Sequence, residues 1–123
     1  MDEWLREAKA DPSAGDIGMY LTHNGTVRRS AKAKVRDCEG CREDVSAMDF
    51  SYDKELLEAI LAETRRMPGI GYVRAWLNEG RLRVGDDIMY VLIGGDIRPN
   101  VVDALQHLVG RVKNECVNET EIY

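Results

Sequence analysis

The sequence predicts an α+β fold: a mixed or largely antiparallel sheet with helices packed against it, in a single domain spanning residues 1–123. Three observations carry this. Ile88–Ile93 (IMYVLI) is six apolar residues without a break, short enough for a strand covered on both faces. Gly71–Leu77 alternates, with Tyr72, Arg74 and Trp76 opposite Val73, Ala75 and Leu77. Between and around them stand amphipathic stretches of helical period, giving the order helix, strand, loop, strand, helix, several strands, helix.

In chain order, Asp2–Ala10 suits a short helix closed by Asp11-Pro12. Asp16–Val27 (DIGMYLTHNGTV) reads as a strand with a bend or bulge around His23-Asn24-Gly25. Arg28, Arg29, Lys32, Lys34 and Arg36 then form a basic run, followed by the mostly acidic DCEGCRED. No apolar period runs through it, so 29–44 is expected to be a mobile charged loop. Val45–Phe50 is a short strand with Val45, Ala47 and Asp49 on one face. Ser51 or Asp53 caps a helix reaching about Arg66, with Leu56, Leu57, Ile60, Leu61 and Met67 as its apolar face. Met67-Pro68-Gly69 stops it. Asn78-Glu79-Gly80 turns the chain back into a hairpin, Gly80–Asp86.

After the apolar strand, Gly94-Gly95 is expected to supply a sharp turn. Asp96, Arg98, Pro99 and Asn100 open the last helix, with Pro99 in the first turn and Asn100 and Asp103 at cap spacing. Val101, Leu105, Leu108, Val112 and Cys116 make one apolar stripe along it. The tail, NECVNETEIY, has no clear period.

Composition narrows function. With 123 residues, 44% hydrophobic and 32% charged, the chain can bury a real core and is too apolar for disorder. A net charge of −5 argues against a nucleic-acid binder held by phosphate contacts. No apolar run approaches the ~20 residues that span a membrane. The acidic, amphipathic N-terminus is unlike a signal peptide, and three cysteines without one suggest reduced thiols and a cytoplasmic location.

Several residues are candidates for chemistry. Arg28 ends a strand directly after Gly25-Thr26-Val27, where a cation on a scaffold can meet a small ligand; the alternative is a solvated loop cation. Arg98 follows Gly94-Gly95 at a helix N-terminus, a setting that favours phosphate, unless it forms a surface ion pair with Asp96 or Asp103. Lys113 lies beside the apolar stripe, where lysines ordinarily only snorkel. At ~1.5 Å per residue, Arg98 and Lys113 stand about 22 Å apart along one helix, too far to grip one small ligand. A site using both lies between two subunits. Cys38 and Cys41 form a lone CxxC, at most half of a zinc site, and His23, His107 and Cys116 are scattered. His107 and Asp87 form no triad with an identifiable nucleophile.

These residues resemble a family. Gly25-Thr26-Val27-Arg28 looks like the Gly-x-Val-Arg motif of the large, catalytic subunit of molybdopterin synthase. Gly80-Arg81-Leu82-Arg83-Val84-Gly85-Asp86 is similar to its Gly-x-Leu-x-x-Gly-[Asp/Glu] hairpin. Asp96-Ile97-Arg98 follows where the family has a His-Arg pair, and a helix reaches Lys113 without a gap. The resemblance implies an α/β-hammerhead-like α+β fold, a homodimer, and a small ubiquitin-like sulfur carrier as partner. The implied reaction passes sulfur from the carrier's C-terminal thiocarboxylate to cyclic pyranopterin monophosphate, giving molybdopterin for the molybdenum cofactor. It implies a pterin-binding Arg28, an Arg98 given by the neighbouring subunit, and a catalytic Lys113 near the thiocarboxylate. No cofactor and no metal are expected.

The sequence departs from the family at identifiable positions. Ile97 stands at the family's histidine. Val117, Asn118, Glu119 and Thr120 replace its Pro-aromatic-Trp-Lys, so the second lysine is missing. Asp49-Phe50-Ser51-Tyr52 stands for a longer Glu-x-Tyr-x-x-Met segment. The expectation is a molybdopterin synthase-type sulfurtransferase, with Lys34 or another loop cation replacing the lysine. The alternatives are a catalytically impaired scaffold or regulator that binds carrier or pterin, and a thiol or metal module built on Cys38, Cys41 and Cys116.

Overall fold

The apolar run forms strand β5 (Asp87–Gly95), and the rest of the fold is laid against it. β1 (Met19–Thr26) pairs antiparallel along one edge, with Leu21 opposite Ile93 and His23 opposite Val91. β3 (Ile70–Leu77) pairs antiparallel along the other, with Val73 opposite Ile93. The structure is a computed structural model and describes residues 1–28 and 47–122. The expected charged loop at 29–44, with Lys34, Cys38 and Cys41, lies outside those residues.

β5 earns its central place by composition. Met89, Val91 and Ile93 are buried on the face that meets the helices, and Leu92 on the opposite face is fully buried too. Each such side chain contributes about 1.5–3 kcal/mol of burial. The expectation of cover on both faces holds at Leu92. Nearer the start of the strand the outer face opens, and Tyr90 stacks on Trp76 with ring centroids 5.3 Å apart.

A second antiparallel sheet has the order β4 (Gly80–Arg83), β2 (Ala47–Tyr52), β6 (Val117–Ile122). Met48 and Phe50 of β2 and Leu82 of β4 face the same core as Met89 and Val91. β6 corrects the reading of the tail as unpatterned. It pairs with β2 from Val117 opposite Tyr52 to Ile122 opposite Ala47. An edge strand held by backbone bonds needs no alternating apolar face, so its sequence carries little signal.

Among the described residues, three α-helices complete the layers: α1 (Asp2–Ala10), α2 (Lys54–Arg65) and α3 (Arg98–Arg111). Of the two possible caps for α2, Asp53 is the one used: its Oδ1 accepts the Leu56 N–H at 3.1 Å. Leu57, Ile60 and Leu61 of α2 and Val101, Ala104 and Leu108 of α3 fill the core between the sheets.

Two local expectations around α3 are corrected. Gly94 and Gly95 do not make the turn; both belong to β5 and neither has positive φ. They are needed for close approach. A Cβ on Gly94 would lie 2.8 Å from the Tyr20 ring, and one on Gly95 would lie 2.8 Å from the Gly69 carbonyl oxygen. Asn100 is not the cap either. The cap position is Ile97, which offers no side-chain bond. Asn100 instead donates from Nδ2 to Asp96 Oδ1 at 2.9 Å, and that same oxygen accepts the Ile97 N–H at 2.7 Å.

Candidate functional site

The two motifs of the sequence, Gly25–Arg28 and Gly80–Asp86, are joined by hydrogen bonds. β1 follows β5 in register to Gly25, opposite Met89; a shift between Gly25 and Thr26 then sets Thr26 opposite Asp87. The expected irregularity is therefore real and lies at the end of the strand. The next residue, Val27, donates its N–H to the Asp86 carbonyl at 2.9 Å and accepts the Gly85 N–H at 2.8 Å. Its side chain is buried. Gly85 has φ +92°, a backbone region that favours glycine, which explains that residue in the hairpin. The turn is closed by Asp86 Oδ2, which accepts the Arg83 N–H at 2.8 Å. Arg28 follows this anchored residue and is exposed.

Lys113 comes to the same end of the sheet. α3 starts just after β5 ends and runs back along it, and its 14 residues cover about 21 Å. That returns the chain to the level of Met89 and Gly25. The helix does not continue regularly to Lys113 as expected. It ends at Arg111 and widens into a π turn, Val112–Cys116, in which the Val117 N–H bonds the Val112 carbonyl five residues back. Such wide turns are frequent at functional sites. Val112 and Cys116 point into the core, and Lys113 between them is exposed.

His23 links the two. It lies on β1, two residues before Gly25 on the same face of the strand. Its Nε2 is buried and has no hydrogen-bond partner among the described residues. The ring lies beside Gly25: a Cβ there would lie 3.8 Å from Nε2, an ordinary contact, and a tighter 3.3 Å from Met89 Cγ. Burial and then the nearby charge of Lys113 both hold the imidazole pKa below its ordinary value. In the sequence His23 stands in a strand bend and among scattered potential metal ligands, not as a site residue. The sign that could have found it is the pair His23 and Gly25 on one strand face, leading into the arginine motif. Its nearness to Lys113, 90 positions on, is a tertiary fact.

Arg98 is at the opposite end of α3. That end of the sheet is where Met19 pairs with Gly95, whereas Arg28 follows the end where Thr26 pairs with Asp87. Arg98 is exposed, and among the described residues it forms no ion pair with Asp96 or Asp103. The Asp96 carboxyl is already engaged by Asn100 and by the Ile97 N–H, which lower its pKa in that order. One chain thus brings Arg28 and Lys113 to one end of the sheet and leaves Arg98 at the other.

The positions where the family pattern fails fall into two places. Ile97 is 56% exposed beside Arg98. Thr120 sits in β6 opposite Asp49, which in turn lies opposite Arg81 of β4. Arg81 grips Asp49 at 2.7 and 3.0 Å, so the cation in this row is already neutralised. A shallow pocket of about 290 Å³ opens here, lined by Asp49, Arg81, Asn118 and Thr120 among others.

The remaining candidates have structural partners. His107 Nε2 lies 2.6 Å from Glu63 Oε1, and Arg111 bonds the other Glu63 oxygen at 2.6 Å. Asp87 accepts from Tyr90 and from Asn24 Nδ2, which lower its pKa in that order. Cys116 is buried, its thiol donates to the Asp53 carbonyl at 3.3 Å, and burial raises its pKa. Among the described residues, no three His, Cys, Asp or Glu side chains cluster as metal ligands.

Comparison with known proteins agrees with this architecture. No curated protein matches the sequence. Among solved structures, the fold is similar to molybdopterin synthase from Staphylococcus aureus, with TM-score 0.74 and 17% identity over 100% of this chain and 85% of that one. It is also similar to the molybdopterin biosynthesis MoaE protein from Burkholderia ambifaria MC40-6, with TM-score 0.71 and 23% identity over 99% and 81% of the two chains. A third match is a chain in the complex of subunits 1 and 2 of molybdopterin-converting factor from Helicobacter pylori 26695, with TM-score 0.68 and 15% identity over 99% and 82%. At these identities the likeness establishes the α+β fold. The family itself comes from the sequence, because the model of the MoaE protein family matches residues 2–115. The chain belongs to the MoaE family.

Proposed function

We propose that the chain is the large subunit of a molybdopterin synthase, acting in the cytoplasm in molybdenum cofactor biosynthesis. It takes sulfur from the thiocarboxylated C-terminus of a small ubiquitin-like carrier and passes it to cyclic pyranopterin monophosphate. The observation that carries this reading is the meeting, within a MoaE-family chain, of Lys113 with His23 on the strand that leads to Arg28. A carboxylate or thiocarboxylate entering there finds an ammonium beside it, and a phosphate finds a guanidinium on the residue that follows the anchored Val27. The Helicobacter pylori relative, solved as a complex of subunits 1 and 2, supports a small-subunit partner.

A homodimer is the arrangement this reading requires if Arg98 and Lys113 serve one site. Arg98 and Lys113 lie about 22 Å apart along one helix axis, so Arg98 serves a pocket only in a neighbouring copy. Among the described residues, no helix is long and apolar enough to cross a membrane.

The test is a reconstituted assay with the cognate thiocarboxylated carrier and the cyclic pterin. Lys113→Ala abolishes product formation while leaving the thermal midpoint near that of the wild type, since an exposed side chain contributes within about ±0.5 kcal/mol. Unchanged transfer in this variant removes Lys113 from the site. A second reading is favoured by Ile97, Thr120 and the neutralised Arg81: the chain keeps carrier or pterin binding as a scaffold or regulator without turnover. Binding by calorimetry with no product from the wild type selects it.

A further inference from the structure

We propose that His23 is the proton acceptor of this site, taking up at Nε2 a proton from the water that splits the acyl–sulfur bond. This rests on the sulfur-transfer reading. Once the carrier's sulfur is attached to the acceptor, carrier and acceptor are joined through an acyl–sulfur bond. Water must then attack the acyl carbon. The new C–O bond forms, the C–S bond breaks with its electron pair left on sulfur, and the carrier departs as a carboxylate. Two protons are released: one to His23, the other from the new carboxyl group to solvent. No oxidant or reductant enters.

Three observations place His23 in that role. Its Nε2 is buried with no hydrogen-bond partner among the described residues, so the structure leaves a polar atom available to something it does not itself contain. The ring lies over Gly25, at the start of the segment whose Val27 is tied to the hairpin and whose next residue is Arg28. Lys113 is the charged group that reaches it.

The surroundings suit a base. The pairing strand offers His23 Val91 directly opposite and Met89 and Ile93 diagonally, all uncharged. Along α3 and the π turn, Arg111 is bound to Glu63 and Glu115, His107 to Glu63, and the Cys116 thiol to a carbonyl. With burial and Lys113 both opposing protonation, the imidazole is neutral at neutral pH and holds a free lone pair in the tautomer protonated at Nδ1. Lys113 then stabilises the negative charge that develops as His23 takes its proton, and its repulsion returns that proton to solvent.

His23→Gln and His23→Phe test this in the reconstituted assay, Phe keeping an aromatic ring of similar size. Product formation slows by about 10²-fold or more in both, and the acid limb of the pH–rate profile disappears. A second arm needs no change at His23. The chain has two histidines, so the His23 resonances are assigned by elimination; they titrate below the ordinary histidine range and move up in Lys113→Gln. A folded variant within about threefold of the wild-type rate with its acid limb intact overturns the role. So does a His23 titration that Lys113→Gln leaves unmoved. A wild type that makes no product at all fells the sulfur-transfer reading itself and His23's role with it. That result differs from a working wild type with an indifferent His23.

Discussion

The two ends of α3 are built differently. At the C-terminal end the helix widens into a π turn, Lys113 is exposed, and the buried Nε2 of His23 has no hydrogen-bond partner among the described residues. At the N-terminal end the Asp96 carboxylate is engaged and the backbone is crowded. Asp96 holds Asn100 and the Ile97 N–H, the Gly69 carbonyl accepts the Asp96 N–H at 2.9 Å, and Gly94 and Gly95 have no room for a side chain. Lys113 is exposed at the first end, and Arg98 is exposed at the crowded one. The contrast fits a site assembled from the first end of one chain and Arg98 of another.

The strongest challenge to that contrast is subunit complementation. Arg98→Ala and Lys113→Ala are each expected to be inactive alone, yet mixing them after dissociation restores activity. Random pairing makes half the dimers hybrids, each with one intact site of two, so recovery reaches about a quarter of the wild-type rate. No recovery, in a mixture shown to contain hybrids, means the two residues do not meet across subunits.

Stability should separate the ends next. Gly95→Ala forces a methyl group against the Gly69 carbonyl and costs about 1–3 kcal/mol, read as a lower urea midpoint. Gly25→Ala meets only the flexible Met89 side chain at 3.3 Å and, more loosely, His23. It changes stability by no more than about 1 kcal/mol, because restricting the unfolded chain offsets the tight contact. Equal destabilisation by the two substitutions erases the proposed difference between a crowded end and an open one.

Acid gives the smallest and most graded separation. His23 has its pKa lowered on folding from an ordinary 6.5. As pH falls past 6.5, the unfolded chain takes up this proton first, so stability declines until the folded value is reached. Asp96 has its pKa lowered from 3.8, chiefly by Asn100. Its contribution is fully present above 3.8 and is lost as pH falls through the folded value. Unfolding midpoints measured from pH 7 downward therefore drop in two stages, and His23→Phe removes the first. A single stage below pH 4 in the wild type means the His23 site is not perturbed.

Much of the chain was legible because its signals are local. The apolar run of β5, the alternation in β3, the period of α2 with its Asp53 cap and the stripe from Val101 to Cys116 each follow from neighbouring residues. So does the bend before Arg28. Family membership was legible as well, because motifs such as Gly-x-Val-Arg and the hairpin glycines are spacings in sequence. What failed was whatever depends on a distant partner. β6 has no patterned face, since its place is set by backbone bonds to β2. The π turn is invisible to a period of 3.6. Asn100 is misread for a local reason instead: its amide is taken by Asp96, four residues before it.

The sequence by itself determined the α+β class, the central strand, the amphipathic helices and the residues Arg28, Arg98 and Lys113 as candidates, because periodicity and turn chemistry act over a few residues. Only the tertiary structure decided which of them share an end of the sheet. β1 and α3 both run opposite to β5, so Gly25 and Lys113 arrive at its start while Arg98 remains at its finish. The same packing buried the nitrogen of His23 and put a positive charge beside it. No stretch of sequence contains that fact, because it arises where two elements 90 residues apart are pressed together by a common core.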